Sequence, residues 1–273
     1  MAANVTSPPA AAARTAPKRA AKTGKRRSAA PLRGLLPLVV LLGIWELLGH
    51  GSVFFPPPSD WVSSTSSMAH DGGLFPAVRQ TLVTFVLGLI IATAIGSALG
   101  ILIGRSELAD RLLSPTLEFF RFLPGVALVP LAVLFMGYTQ SMELYVVVFG
   151  AVWPVLLQAR LAAREIDPVL EDVRRALHLS RAAAFFKITL PAVAPGIMLG
   201  VVIAAPLTLV LALVVEISTQ VSGIGKLMET AQQNFLAAQV FGLIVIVGVI
   251  ALVINIALSL ISGWLFRYRP PGE

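Results

Sequence analysis

Long apolar runs broken by short polar stretches set the pattern of this chain. Runs of spanning length, about 20 residues, predict helices at 33–50, 78–104, 117–137, 142–163, 189–217 and 238–266. Only Gly137-Tyr138-Thr139-Gln140-Ser141 separates the third run from the fourth, which predicts a tight turn between antiparallel helices. Pro124, Pro130, Pro154, Pro195 and Pro206 fall inside the runs. In a membrane, neighbouring helices compensate such breaks, so kinks are expected rather than loops. In the second run Gly88, Ala92, Gly96, Gly100 and Gly104 recur at every fourth position. On a helix that spacing makes one stripe of small residues, against which a second helix can approach closely. Its partner is either another helix of the chain or a second subunit. The pattern defines an all-α integral membrane protein with about six transmembrane helices.

One polar interruption has structure of its own. Residues 166–191 read IDPVLEDVRRALHLSRAAAFFKITLP. Asp167-Pro168 is a helix start, because Asp accepts from exposed backbone N–H groups and Pro is tolerated at the first helical position. Val169, Leu170, Val173, Ala176 and Leu177 then fall on one broad face, with Glu171, Asp172, Arg174 and Arg175 mostly elsewhere. Ser180 is placed to cap a second helix, running through Ala183 and Phe186 to Leu190, and Pro191 closes the segment. The expected result is a helix–turn–helix with an exposed polar surface on a partly apolar base. An amphipathic connector lying on the membrane is the plainer alternative.

Composition and charge orient these elements. The chain is 56% hydrophobic and 13% charged, with mean hydropathy +0.84, which excludes an ordinary soluble domain. Of 21 basic residues, 18 lie in the N-terminal stretch up to and including Arg33, the 105–116 and 160–188 stretches, and the C-terminus. Arg121 sits on the same side, and the opposite side holds Arg79 and Lys226. Six spans and this bias put both termini in the cytoplasm. The tail, 1–32, is Ala/Pro/Lys/Arg-rich without apolar periodicity and is expected to be disordered, and 269–273 forms a short cytoplasmic end. The tail suits anionic lipid, with nucleic acid the weaker alternative. Leu35–Leu48 reads as a retained anchor, since no small-residue cleavage site follows it. There is no cysteine, hence no disulfide or thiolate metal site. His50, His70 and His178 lack metal-ligand spacing.

Glu46, Glu118, Glu143 and Glu216 all fall near span ends, where interfacial solvation makes charge inexpensive. Glu46, Glu118 and Glu143 therefore read as structural. Glu216 divides evenly between lining an outer pathway and bracing an outer gate. Arg121 lies three residues from Glu118, which predicts a local ion pair; an anion site at Arg121 is the alternative.

The 166–191 segment resembles the cytoplasmic loop of permeases in binding-protein-dependent ABC importers. That loop reads Glu-Ala-Ala, three residues, Gly, nine residues, Ile-x-Leu-Pro. Ile188-Thr189-Leu190-Pro191 matches its end, whereas Asp172-Val173-Arg174 stand at the Glu-Ala-Ala positions and His178 at the Gly. Phe55-Pro56-Pro57-Pro58-Ser59 is similar to the entry of the permease core in the nitrate/sulfonate/taurine branch. So are the stretch from Arg121 through Leu131 to Gly137, the Ile166-Asp167-Pro168 start, and Glu216 with Ser222-Gly223-Ile224-Gly225. The match covers roughly 50–268.

The resemblance implies a type I ABC importer permease fold over 33–268, with 166–190 as the coupling loop, in the bacterial inner membrane. Asp172, Arg174, Arg175, Leu177 and His178 would contact a cytoplasmic ABC ATPase dimer, which uses the ATP. A periplasmic or lipid-anchored solute-binding protein would deliver a small anionic or heterocyclic solute. A second permease subunit would complete the pore, with the inner faces of the third, fourth and fifth spans as the pathway. The chain is then no enzyme and binds no cofactor, because Gly223-Ile224-Gly225-Lys226 lacks phosphate-loop spacing. Gly223 and Gly225 are expected to make a tight turn before an outer helix at 226–235. Two alternatives stand beside this reading. One is a stand-alone channel or secondary transporter, and the other is a degenerate partner in a heterodimeric permease.

Overall fold

The structure, a computed structural model, describes residues 32–266. The tails expected at 1–32 and 269–273 lie outside the described residues but for Leu32. The chain divides into two units between Ile44 and Trp45, inside the first helix, α1, Leu32–Gly49. In the first unit, Leu36, Leu38, Val39, Val40, Leu41 and Ile44 all expose apolar side chains. The second unit carries the end of α1 and ten further helices among its described residues.

These are α2 (Pro58–His70), α3 (Leu74–Gly104), α4 (Glu107–Phe122), α5 (Val129–Met136), α6 (Gln140–Arg164), α7 (Pro168–Ala176), α8 (Arg181–Ala184), α9 (Leu190–Thr219), α10 (Ile224–Gln233) and α11 (Ala237–Leu265). Four helical stretches are long and apolar enough to cross a membrane: α3, α6, the continuous 39 residues Arg181–Thr219, and α11. Helix α4 and the Gly125–Met136 segment form a bent apolar pair, and Leu36–Gly49 is a shorter apolar helix. The all-α membrane fold with a helix count near six is thus observed. Val86, Ile90, Ile244, Val249, Leu252, Ile256 and Leu260 are exposed on α3 and α11. In water such a surface would aggregate, but in a bilayer it is the face that meets lipid.

Three helices make the centre, and small residues decide their spacing. A Cβ built on Gly96 would fall 2.9 Å from the Val152 carbonyl oxygen, and one on Gly100 would fall 2.5 Å from that of Leu156. The stripe of α3 therefore lies directly on the α6 backbone, which resolves its partner as internal. Gly88 meets Val147 and Gly104 meets Arg160, so α3 and α6 run parallel. The chain between them must cross back. On the other side of α6, Gly196 meets Ala162 and Gly200 meets Val155, which makes α9 antiparallel to α6. Trp45, Trp61 and Phe241 cluster at ring-centroid distances of 5.0 to 5.4 Å, holding the end of α1, α2 and α11 together.

The return crossing differs from the expected single span at 117–137. Glu107–Phe122 is one helix that meets the next at 83°, through Leu123-Pro124 and a 3₁₀ turn at Gly125–Leu128. Pro124 is the cause, because it disfavours helical backbone at the residue before it, and Leu123 is extended. The polar stretch expected as a loop at 105–116 is helical from Glu107. Ser106 caps it by accepting from the Ala109 N–H at 3.2 Å, and Glu107 and Asp110 stand in the first turn.

Pro191 was expected to close one helix and open the next, but the helix runs through it. Residues Phe185–Thr189 widen into a π-turn just before Leu190. Proline lacks the N–H that would bond one turn back and its ring crowds that carbonyl; a wider turn accommodates both.

Candidate functional site

Helix α7 and the turn after it form a compact unit at the basic end of α6. The Asp167 side chain accepts from the Val169 N–H at 2.8 Å, with Pro168 in the first turn. At the other end the N–H groups of Leu177, His178 and Leu179 bond back to Val173, Arg175 and Arg174 carbonyls. His178 takes φ +48°, the left-handed conformation that glycine adopts most easily. Ser180 Oγ then accepts from the Ala183 N–H and starts α8. Nine residues of helix are therefore fixed at both ends by local bonds.

The exposed surface of this unit differs from the expected polar one. Asp172, Arg175, Leu177 and His178 are exposed, but so are Val169 and Val173. Val169, Val173 and Leu177 follow at intervals of four and form an apolar stripe facing outward rather than a buried base. Arg174 is half-buried and lines a cavity of about 560 Å³ beneath the unit, with Arg105, Asp110, Arg164, Asp167 and Thr189. Its bulk at a position where the resemblance implies a small residue is turned inward, away from the outer stripe. The coupling candidates thus separate into an outer set of Asp172, Arg175, Leu177 and His178, and Arg174 behind them.

Sequence reasoning missed the base of this unit. Asp110 is buried and pairs with Arg160 and, at 2.7 Å, with Arg164. Arg160 also donates to Ser114 Oγ at 2.6 Å. These contacts tie α4 to the last turn of α6. Arg105, just past α3, donates to Thr189 Oγ1 at 2.6 Å, which ties α3 to the π-turn. The available signal was an acid, Asp110, on the side where Arg160 and Arg164 cluster, but charge counting along the chain does not say which acid they meet. These contacts join α3, α4, α6 and the π-turn around the cavity beneath α7.

At the opposite end of α9, Glu216 has no exposed surface. One carboxylate oxygen accepts from Thr81 Oγ1 at 2.7 Å, the other from the Gly225 N–H at 2.7 Å. Thr81 Oγ1 in turn accepts from the Ile224 N–H at 2.9 Å. A Cβ on Gly223 would overlap the Glu216 carboxyl, and one on Gly225 would fall 2.6 Å from Glu216 Cβ. The two glycines let the 222–225 turn close over the acid, and α10 begins at Ile224, close to the expected position. This geometry fits a brace joining α3, α9 and α10. Glu143 is also fully buried, beside Glu216 and Thr84, and neither of its oxygens makes a hydrogen bond of good geometry. Interfacial solvation, expected for both acids, is therefore absent within the chain, because the 222–225 turn and α3 cover them. Glu46 and Glu118 do meet solvent: Glu46 accepts from the Ser59 N–H and Oγ at the start of α2, and Glu118 is exposed.

A further cavity of about 460 Å³ lies between the end of α4, the middle of α6 and α9. These are the third, fourth and fifth apolar segments. Arg121 lines it, and the ion pair expected with Glu118 is not formed among the described residues.

The fold is thus a helical membrane bundle with a short capped helix exposed at its basic end. The model of the family described as "Binding-protein-dependent transport system inner membrane component" matches residues 86–268, and the chain belongs to that family. The nitrate import permease protein NrtB of Leptolyngbya laminosa is 30% identical, over 82% of this chain and 84% of that one. The bicarbonate transport system permease protein CmpB of Synechococcus elongatus is 27% identical, over 85% and 90%. A Bacillus subtilis (strain 168) protein, provisionally named as the aliphatic sulfonates transport permease SsuC, is 27% identical over 89% of each. The fold is similar to that of the MetNI methionine ABC transporter in an inward-facing crystal form. The TM-score is 0.61 at 19% identity, over 72% of this chain and 98% of that one. The chain is thus a transmembrane permease subunit of the binding-protein-dependent importer class, a transport component of the inner membrane.

Proposed function

We propose that this permease imports a small anion, driven by a separate cytoplasmic ABC ATPase dimer that seats the α7 unit. The observation that carries this reading is α7 itself: nine residues capped at both ends, with an exposed apolar stripe, standing over a cavity around which α3, α4, α6 and the π-turn are tied by ionic and hydrogen bonds. A short, rigid, anchored helix transmits displacement, whereas a loose connector dissipates it. Val169, Val173 and Leu177 would enter an apolar groove, with Asp172, Arg175 and His178 around them. The charge bias supports a cytoplasmic side for α7 and both termini. A solute-binding protein would dock on the opposite side, near α10. A second permease subunit, identical or related, would complete the pathway. The anionic cargo rests on relatives named for nitrate, bicarbonate and sulfonates. ATP is used by the partner chain, and Glu216 serves as a brace for the outer turn.

Purification through a tag on this chain, with mass identification of what comes with it, tests the partnership. Recovery of an ABC ATPase, lost on Leu177→Asp, is the expected result. Recovery of the same ATPase from the Leu177→Asp variant would remove α7 from the interface. Purification of the chain alone would favour a stand-alone channel.

A further inference from the structure

The cavity between α4, α6 and α9 has a composition of its own. Arg121 is the one charged residue that lines it, with Trp153, Gln158 and a wall that includes Ile203, Leu207 and Val210. Its α6 residues, 150–158, stand 10 to 18 positions into that 25-residue helix. At about 1.5 Å per residue they lie about 15–27 Å from its start, well inside the hydrocarbon thickness. The bend at Leu123-Pro124 ends α4 at this depth and leaves Arg121 in its last turn. Gly150 lets Leu211 of α9 pack directly against α6 at the cavity's edge, since a Cβ there would overlap Leu211.

An arginine at membrane depth is costly unless paired. Among the described residues no carboxylate lies within 4.0 Å of the Arg121 guanidinium, whose recorded contact is the Phe122 ring at 4.8 Å. A neutral polar side chain, Gln158, also lines the cavity. The Arg121 cation and the Gln158 amide suit an anion, and much of the remaining wall is apolar. A bare inorganic anion would use the guanidinium and leave that wall idle.

We propose that this cavity is a membrane-depth subsite for a small organic anion, its charged head on Arg121 and its apolar body against Ile203, Leu207 and Val210. The proposal rests on the importer reading and narrows its cargo. Each methylene buried against the wall strengthens binding about fourfold. The subsite acts after release from a binding protein, so its preference belongs to this chain.

The test is equilibrium binding of radiolabelled methanesulfonate and butanesulfonate, which are permanently ionised. It uses the permease with its co-purified partners in nanodiscs, without binding protein, and unlabelled nitrate as competitor. Saturable binding is expected, about 60-fold tighter for butanesulfonate from three added methylenes, with nitrate a weak competitor. Arg121→Gln should abolish it while the partners still co-purify. Leu207→Trp, which fills the apolar end, should weaken butanesulfonate more than methanesulfonate. Equal affinity for the two probes, binding unchanged in Arg121→Gln, or no saturable binding would overturn the subsite. Failure of an ATPase to co-purify would instead remove the importer reading, whatever the cavity binds.

Discussion

Proline at position 176 tests the transmission role of α7 through a defect whose size can be worked out beforehand. Ala176 is the last residue of α7, and the turn beyond it is held by bonds from Leu177, His178 and Leu179 to Val173, Arg175 and Arg174. Ala176→Pro removes the N–H at the helix end that would bond to a carbonyl one turn back, and pushes Arg175 out of helical backbone. The cost is about 3 kcal/mol, close to a 150-fold fall in the ordered helix at about 1.4 kcal/mol per tenfold. Ala176→Gly, at about 1 kcal/mol, should lower it about fivefold. Neither change touches a crossing helix, so expression and insertion should hold. The assay is ATP-driven uptake into proteoliposomes beside ATP hydrolysis by the same complex. Uptake per ATP should fall slightly in the glycine variant and collapse in the proline variant. Full uptake in Ala176→Pro would refute transmission through an ordered α7.

Three further outcomes follow from the packing. Gly100→Val must displace the Leu156 carbonyl, from which even a Cβ stands 2.5 Å; overpacking of about 1–3 kcal/mol should shorten the thermal half-life in detergent, while Gly248→Val, open on all sides, leaves it unchanged. Glu216→Gln gives up one accepted bond, about 1.5–3 kcal/mol, and should lower the melting temperature by several degrees. Glu143→Gln loses no well-formed hydrogen bond and relieves the buried acid beside Glu216, so it should leave it unchanged or raise it; the reverse order in the same melting assay would reject the brace. Asp110→Asn leaves Arg160 and Arg164 unmatched at the α4–α6 junction, so hydrogen exchange in 107–114 and 160–176 should rise together, and exchange confined to α4 would break the proposed link to α7.

Much of the fold is legible in the sequence because a bilayer permits few structures. Apolar length located the crossing helices, and the Gly88–Gly104 stripe announced a close contact that proved to be α6. Local chemistry read equally well: Asp167, Ser180 and His178 each take the cap or turn conformation their residue types favour. What depended on distant contacts was not legible. The 83° break at Pro124 arises where a second helix must pack across the bundle, and hydropathy averages over it. The burial of Glu143 and Glu216 depends on a turn 80 residues beyond the first and close beyond the second. The inward turn of Arg174 needs the cavity beneath α7, which no spacing along α7 discloses.

The central claim is that ATP hydrolysed by a partner chain moves solute through this subunit. Solute uptake into proteoliposomes holding the co-purified complex, with ATP or its non-hydrolysable analogue inside and a solute-binding protein outside, tests it most directly. Uptake that requires both hydrolysable ATP and the binding protein, and vanishes on Ala176→Pro, is the expected result. Solute flux through this chain alone, indifferent to ATP, would contradict the account.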